Sequence, residues 1–502
     1  MKDTRKSCLK GIVDWVANKS EEKVLPQSNI YWIFGLPGIG KTSLAHSICA
    51  RLHDQGRFAG VFFCWRDDPT LSEPRYILPT LICKLAEVFP PFRSKVASCF
   101  RSDPNLTPKT MKDSHFLGLF DNLPKRPNDS LVFVIDAFDE CGDYRSRPRL
   151  LNLLTSVVAR APWLKIIITS RPEVDIQHFF DRPTHTYPQY DLGKDQEAGH
   201  DLRTFAQSEF NLVAGQWHLP TPWPEKSLLD RITSRANGLF IFITTLLLAL
   251  EHCEEPTKFL EAASEDSAGA GLKTLSKFFS SILESRIENR KADFRRMIGV
   301  LLTAAPYRAL CEETIAELAG VESNVVEKWV DDLSSLLYRD EATNGGVRVR
   351  HSSISDFLVS SDCPSDYQIN RQDANVQLGI ACLKAMVRQL HFNTCGLEDS
   401  RLANADIKDP PSRITKNIPD CLRYSCLYWS NHLCFVPDNN DRRVWDSLEE
   451  FFVVEELCPL SWIEVLSILG MGPMGAPSIR RVISWAKVSS APACILGNSD
   501  WQ

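Results

Sequence analysis

Asn29–Leu52 reads NIYWIFGLPGIGKTSLAHSICARL, and the reading of this stretch decides the fold. It carries the pattern GxxxxGK[ST], with Gly35, Gly40, Lys41 and Thr42 at the fixed positions. Tyr31 to Phe34 read as a short buried strand and Ser43 onward as a helix, so the glycine loop falls between the two. Glycines let the loop backbone curl and turn successive N–H groups towards phosphate oxygens, and the helix N-terminus adds its dipole. Lys41 then places a point charge on the β- and γ-phosphates, and Thr42 ligates Mg²⁺. Leu36, Pro37, Gly38, Ile39 and Ser43 complete the expected nucleotide-binding stretch. Four such positions match by accident in a chain of 502 residues only about 2% of the time. The loop is therefore assigned to ATP or GTP with Mg²⁺, the base being open.

The second half of such a site is a buried strand that ends in a carboxylate. LVFVIDAFDEC, Leu131–Cys141, supplies it: Leu131 to Ile135 are continuously apolar, and Asp136 stands at the C-terminal end, where α/β sheets place ligands. Asp136 is the expected magnesium residue. Asp139 and Glu140 follow three and four positions on, close enough for one of them to orient or deprotonate the attacking water. FAGVFFCW (Phe58–Trp65) and LKIIITSRP (Leu164–Pro172) read as further strands. The latter follows a helix at Leu150–Ala159 and ends in the polar triplet Thr169, Ser170, Arg171. Lying between the other two strands, it would present Arg171 to the γ-phosphate as a sensor. THTYPQYDL, residues 184–192, would close the far edge.

Taken in order, GLPGIGKTS, FFCWR, VIDAFDEC, IIITSRPE and RANGLFIF resemble the NACHT class of STAND signalling NTPases, most of all the fungal set with a nephrocystin-like nucleotide-binding domain. The resemblance spans roughly residues 5–360. It implies that Gly35 to Thr42 form the Walker A loop, that Asp136, Asp139 and Glu140 form an extended Walker B, and that Arg171 is the sensor. It also implies a nucleotide-controlled switch, closed with a diphosphate and self-associating with a triphosphate, in defence or self-recognition signalling through protein partners yet to be identified. Ala137 rather than Glu follows Asp136, which leaves the usual base position vacant and points to slow hydrolysis. A steadily turning over P-loop ATPase acting on a macromolecule and a scaffold with vestigial hydrolysis are the alternatives.

The expected fold class is an α/β P-loop NTPase, a parallel sheet flanked by helices, followed by all-α helical and winged-helix domains. The expected divisions are a lead helix in 1–27, the NTPase core in 28–195, a helical domain in 196–290, a winged-helix domain in 291–365 and a helical region in 366–502. Three helical patterns and a strand pair turning at Asn344, Gly345 and Gly346 carry the winged-helix reading. Its candidate recognition helix holds Glu327, Asp331 and Asp332 against Lys328, and DNA repels such a helix. After the hairpin, His351 occupies the place where the resembling family has a histidine that contacts the β-phosphate. A histidine ahead of a helix also has the simpler role of capping it.

Composition bounds the partners. With 57 Lys+Arg against 63 Asp+Glu the net charge is −6, which provides no global field for a nucleic acid or an anionic membrane, so neither is expected as a partner. The 16 cysteines include no CxxC pair and read as reduced, mostly buried thiols. Cys421, Cys426 and Cys434 come nearest to a metal pattern, but their neighbours form an amphipathic helix, which favours core packing over zinc. The apolar stretch Leu239–Leu250 is about twelve residues long, short of the roughly twenty a membrane span needs. The start, MKDTRKSCLKGIVDW, lacks a signal-peptide pattern, so a cytoplasmic location is expected.

Overall fold

The computed structural model describes the chain except for residues 1–3, 19–27, 104, 108–109, 125–129, 183–186, 196, 252, 254, 266–271, 288, 400–402, 408, 436–440, 455–456 and 489–502. The chain divides into two compact units, Met1–Phe278 and Phe279–Gln502.

The first unit is built on five parallel strands: β1 (Ile30–Phe34), β2 (Phe58–Phe63), β3 (Leu131–Asp136), β4 (Leu164–Ser170) and β5 (Gln189–Asp191). Their order across the sheet is β2-β3-β4-β1-β5. Thus β4 does lie between the phosphate-loop strand and the aspartate strand, and β5 does close the edge beside β1. Residues 184–186 of the expected edge strand fall outside the described residues.

The sheet is covered on both faces, which is why its strands read as unbroken apolar runs. Alternate residues along a strand point to opposite faces. Ile30, Trp32, Phe133, Ile135, Ile166 and Ile168 enter one core. Ile33, Val132, Val134 and Ile167 enter the other. On the second face pack α1 (Lys6–Val16), through Leu9, Ile12 and Val16, and α2 (Lys41–Asp54), through Leu44, Ala45 and Ile48. On the first pack α3 (Ile77–Val88), α4 (Pro90–Ser102), α5 (Asp113–Gly118), α6 (Ser146–Arg160) and α7 (Val174–Phe180). The unit continues through α8 (Ala198–Gln216), α9 (Lys226–Ala236), α10 (Phe240–Leu250), α11 (Pro256–Glu265) and the first part of α12 (Leu272–Arg286). The apolar stretch is thus a buried helix, α10, whose Thr244 hydroxyl donates to the Ile241 carbonyl at 3.1 Å. Among the described residues no helix is long and apolar enough to cross a membrane.

In the second unit α13 (Lys291–Ala304), α14 (Glu312–Ala319) and α15 (Ser323–Asp332) precede an antiparallel pair, β6 (Leu337–Asp340) and β7 (Gly346–Val349). Asn344 and Gly345 take the positive φ that their turn demands. Then come α16 (Ser352–Val359), α17 (Arg371–Gln389), α18 (Pro410–Asn417), α19 (Asp420–Leu433), α20 (Arg442–Glu449), α21 (Cys458–Ile468) and α22 (Gly475–Val488). Helices α17 and α19 form this unit's core, with Cys382, Met386, Tyr424 and Trp429 buried. Cys421 and Cys426 are also buried on α19.

Candidate functional site

The loop after β1 is shaped by two glycines in the left-handed region, Gly38 at φ 76° and Gly40 at φ 96°. A side chain at either position would be strained. Gly40 is the N-cap of α2, and Lys41 is its first residue, so the free N–H groups of that helix end open beside the loop. Lys41 Nζ donates to the carbonyls of Gly35 and Leu36 at 2.8 and 2.9 Å, which folds the ammonium over the loop. Burial pushes its pKa down to about 8, opposed by the field of Asp139. Arg171, Asp136 and Glu140 also lie close enough for their fields to act on it. The sequence-predicted residues Lys41, Asp136, Asp139, Glu140 and Arg171 therefore share one site. Leu36 is exposed, Pro37, Gly38 and Ser43 are partly covered, Ile39 packs into the core, and the Gly35 backbone lies against Ile39 and Leu192.

Asp136 ends β3 with 1% of its surface exposed. Burial raises its pKa, and hydrogen bonds from the Thr169 and Thr42 hydroxyls oppose the shift. The Thr169 hydroxyl also accepts from the Ala137 N–H at 3.1 Å. Thr169 thus orients the carboxylate and the turn that follows it. Ala137 lies at φ 52°, a left-handed conformation that reverses the chain after the strand. The reversal turns Asp139 back onto the end of β4. Asp139 Oδ1 accepts from the Arg171 N–H at 2.9 Å, and Oδ2 pairs with Arg171 Nε at 3.1 Å, the aspartate side chain being 3% exposed. Arg147 braces the same turn, donating to the Asp139 carbonyl at 2.8 Å while its Nε holds Asp175 at 2.8 Å. Glu140 Oε2 accepts a long bond, 3.4 Å, from the Arg66 N–H at the end of β2.

The donor set fits a Mg²⁺–nucleotide. Asp136 is a buried carboxylate that is costly to ionise and touches the Thr42 hydroxyl, so a hard cation held between these oxygens would offset the cost. The helix end and Lys41 supply the complementary charge for phosphates.

His351 lies in the second unit. It is the N-cap of α16, where Nδ1 accepts from the Ser353 N–H at 3.1 Å and meets the Ser353 hydroxyl at 2.8 Å. Within its own unit it caps α16.

Two contacts had no signal in the sequence. The Ile241 N–H, in the first turn of α10, donates to the Gly38 carbonyl at 3.1 Å. Arg5 reaches the loop from in front of α1, its Nη2 donating to the Ile39 carbonyl at 3.2 Å. Neither residue is near the loop in sequence, and no local pattern marks either. Thr169 was legible as one of three polar residues ending a buried strand, although Arg171 drew the assignment.

The family model described as nephrocystin 3, N-terminal, matches residues 11–171, a span that holds the loop, β3 and Arg171. No curated protein matches the chain. Among solved structures it is similar to the Walker-type ATPase of Pyrococcus abyssi, at 15% identity and a TM-score of 0.33, over 71% of this chain and 95% of that one. It is similar to the Aeropyrum pernix ORC1 protein in complex with DNA, at 12% identity and 0.33, over 71% and 92%. It is also similar to Drosophila ORC bound to DNA, at 14% and 0.31, over 73% and 97%. The expected absence of a nucleic-acid partner is corrected here, since two of these structures are complexes with DNA. The net charge and one acidic helix sample too little of the surface to carry that exclusion. By its loop and strand order the chain has the α/β P-loop NTPase fold, a parallel sheet flanked by helices, with the candidate nucleotide site at the ends of β1 and β3.

Proposed function

We propose that this chain is a nucleotide-controlled signalling switch of the NACHT/STAND type, binding ATP or GTP with Mg²⁺ and hydrolysing it slowly. The observation that carries the reading is the seam between the loop and α10. The Gly38 carbonyl accepts from the Ile241 N–H at 3.1 Å, so the crest of a phosphate loop is bonded to a helix outside the sheet. A change in loop conformation is thereby passed to the helical region, the kind of local event that biases a larger rearrangement.

The acidic turn supports slow turnover. Position 137, beside the magnesium carboxylate, carries only a methyl group, and Asp139 spends both oxygens on Arg171. Glu140 is left to orient a water. Arg171 must exchange Asp139 for a phosphate oxygen before it can act as a sensor. Mg²⁺, held by Thr42 and Asp136, would neutralise charge on the phosphates. The winged-helix lid, the defence role and the β-phosphate contact of His351 enter this reading only through the family resemblance.

The test is thermal denaturation with Mg²⁺ and ATP or GTP, comparing the wild type with Lys41→Ala. At nucleotide 100-fold above Kd the wild type gains about 2.7 kcal/mol and the variant loses the gain. A wild type that shows no shift with either nucleotide would sink the reading. Turnover of many per second without a partner would favour a working ATPase over a switch.

A further inference from the structure

Arg5 lies outside every motif, yet its backbone and side chain are both anchored. Its N–H donates to Asp201 Oδ2 at 2.7 Å, at the start of α8. Its guanidinium pairs with Asp195 Oδ2 at 2.7 Å, the two side chains each 5% exposed. The same guanidinium lies 5.8 Å from the centre of the Phe240 ring, at the start of α10. The remaining contact is the bond from Nη2 to the Ile39 carbonyl. A buried ion pair so constrained has little freedom to reorient, and it ends on the backbone of the phosphate loop.

A trans peptide is planar, with its C=O and N–H pointing in opposite directions. Holding the Ile39 carbonyl therefore fixes the direction of the Gly40 N–H, away from the guanidinium. Among the described residues no protein acceptor takes that N–H. It is one of the donors that a phosphate-binding loop must present. The adjoining plane is held in the same way, since the Ile241 N–H grips the Gly38 carbonyl and so sets the Ile39 N–H.

We propose that Arg5 is a positioning residue for the phosphate loop: through the Ile39 carbonyl it holds the Gly40 N–H ready for a nucleotide phosphate, and through Asp195 and Asp201 it ties that geometry to the start of α8. The inference takes its ligand from the nucleotide reading of the site. Because Arg5 is the N-cap of α1, loop conformation is also passed to that helix.

The experiment uses the full chain and two variants. Arg5→Lys keeps a charge for Asp195, but its single ammonium lacks the fork that bridges a carboxylate and a carbonyl. Asp195→Asn leaves the arginine in place and loosens it. Amide hydrogen exchange of the loop, residues 35–42, is measured without nucleotide, with the β3 and β4 amides as the internal reference. Binding of Mg²⁺–ADP and Mg²⁺–GDP is measured in parallel. Arg5→Lys is expected to speed loop exchange about tenfold while leaving the strands protected, and to weaken the nucleotide that binds about tenfold; Asp195→Asn moves both in the same direction by less. Loop exchange and affinity equal to the wild type in both variants, whatever their melting temperatures, would overturn the proposal. A wild type that binds neither nucleotide defeats the site reading instead, and the exchange arm still decides whether Arg5 orders the loop.

Discussion

The most exposed consequence of the loop's setting is at Gly38. A Cβ there would lie 2.1 Å from Ile241 Cγ2 and 2.7 Å from Ile241 Cβ, on a residue whose φ is 76°. Gly38→Ala therefore adds two costs. The left-handed conformation costs an L-residue about 1–2 kcal/mol, and forcing a methyl into filled space costs typically about 1–3 kcal/mol. The helix cannot withdraw cheaply, because its Ile241 N–H is bonded to the same residue's carbonyl. A loss of about 2–5 kcal/mol follows, and the two parts can be separated. Ile241→Ala removes the contact at 2.1 Å but leaves the one at 2.7 Å, so it rescues part of the loss. Ile241→Gly removes both, and Gly38→Ala in that background retains only the conformational cost of about 1–2 kcal/mol. The assay is a urea titration read through amide protection of β1 and α2, so that only the unit carrying the loop is reported. A Gly38→Ala cost that is the same in all three backgrounds would refute the contact between loop and helix.

The charges of the site set further outcomes. Lys41 titrates near 8 in the nucleotide-free site instead of at its ordinary 10.5, and phosphates would raise it again. Binding thus takes up a proton above pH 8, and nucleotide Kd should weaken by up to tenfold per pH unit from about pH 8 upward; a Kd constant from pH 7 to 9.5 would contradict this. The unfolded lysine holds its proton to higher pH than the folded one, so the same group makes the nucleotide-free fold more stable as pH rises through 8. Asp136 is shifted the opposite way, its pKa raised by burial, so its ionised form burdens the empty protein as pH rises. Asp136→Asn should leave the nucleotide-free protein at least as stable at pH 7 while removing the Mg²⁺-dependent part of nucleotide binding; a clear drop in its melting temperature without ligand would count against the buried charge.

Much of the site was legible because its parts are local. A glycine loop between an apolar strand and a helix depends on residues adjacent in the chain, and an apolar run ending in Asp136 marks a strand covered on both faces. The sensor reading of Arg171 took β4 to lie between β3 and β1, and the strand order has it there. The role of the acidic turn was less legible: Asp139 and Glu140 read alike in sequence. The left-handed Ala137 separates them, aiming Asp139 at Arg171 and Glu140 towards the end of β2.

The amino-acid sequence by itself determined the glycine loop, the aspartate that ends β3 and the layered sheet, because continuous apolar runs and glycine φ act over a few residues. Tertiary structure alone decided what holds the loop. Arg5 and Ile39 are 34 positions apart, and Arg5 and Asp195 are 190 apart. Such pairs exist only once the sheet has set where each helix begins, since a buried ion pair or a backbone bond is worth its desolvation only when both partners are already in place. No periodicity in the chain records that placement.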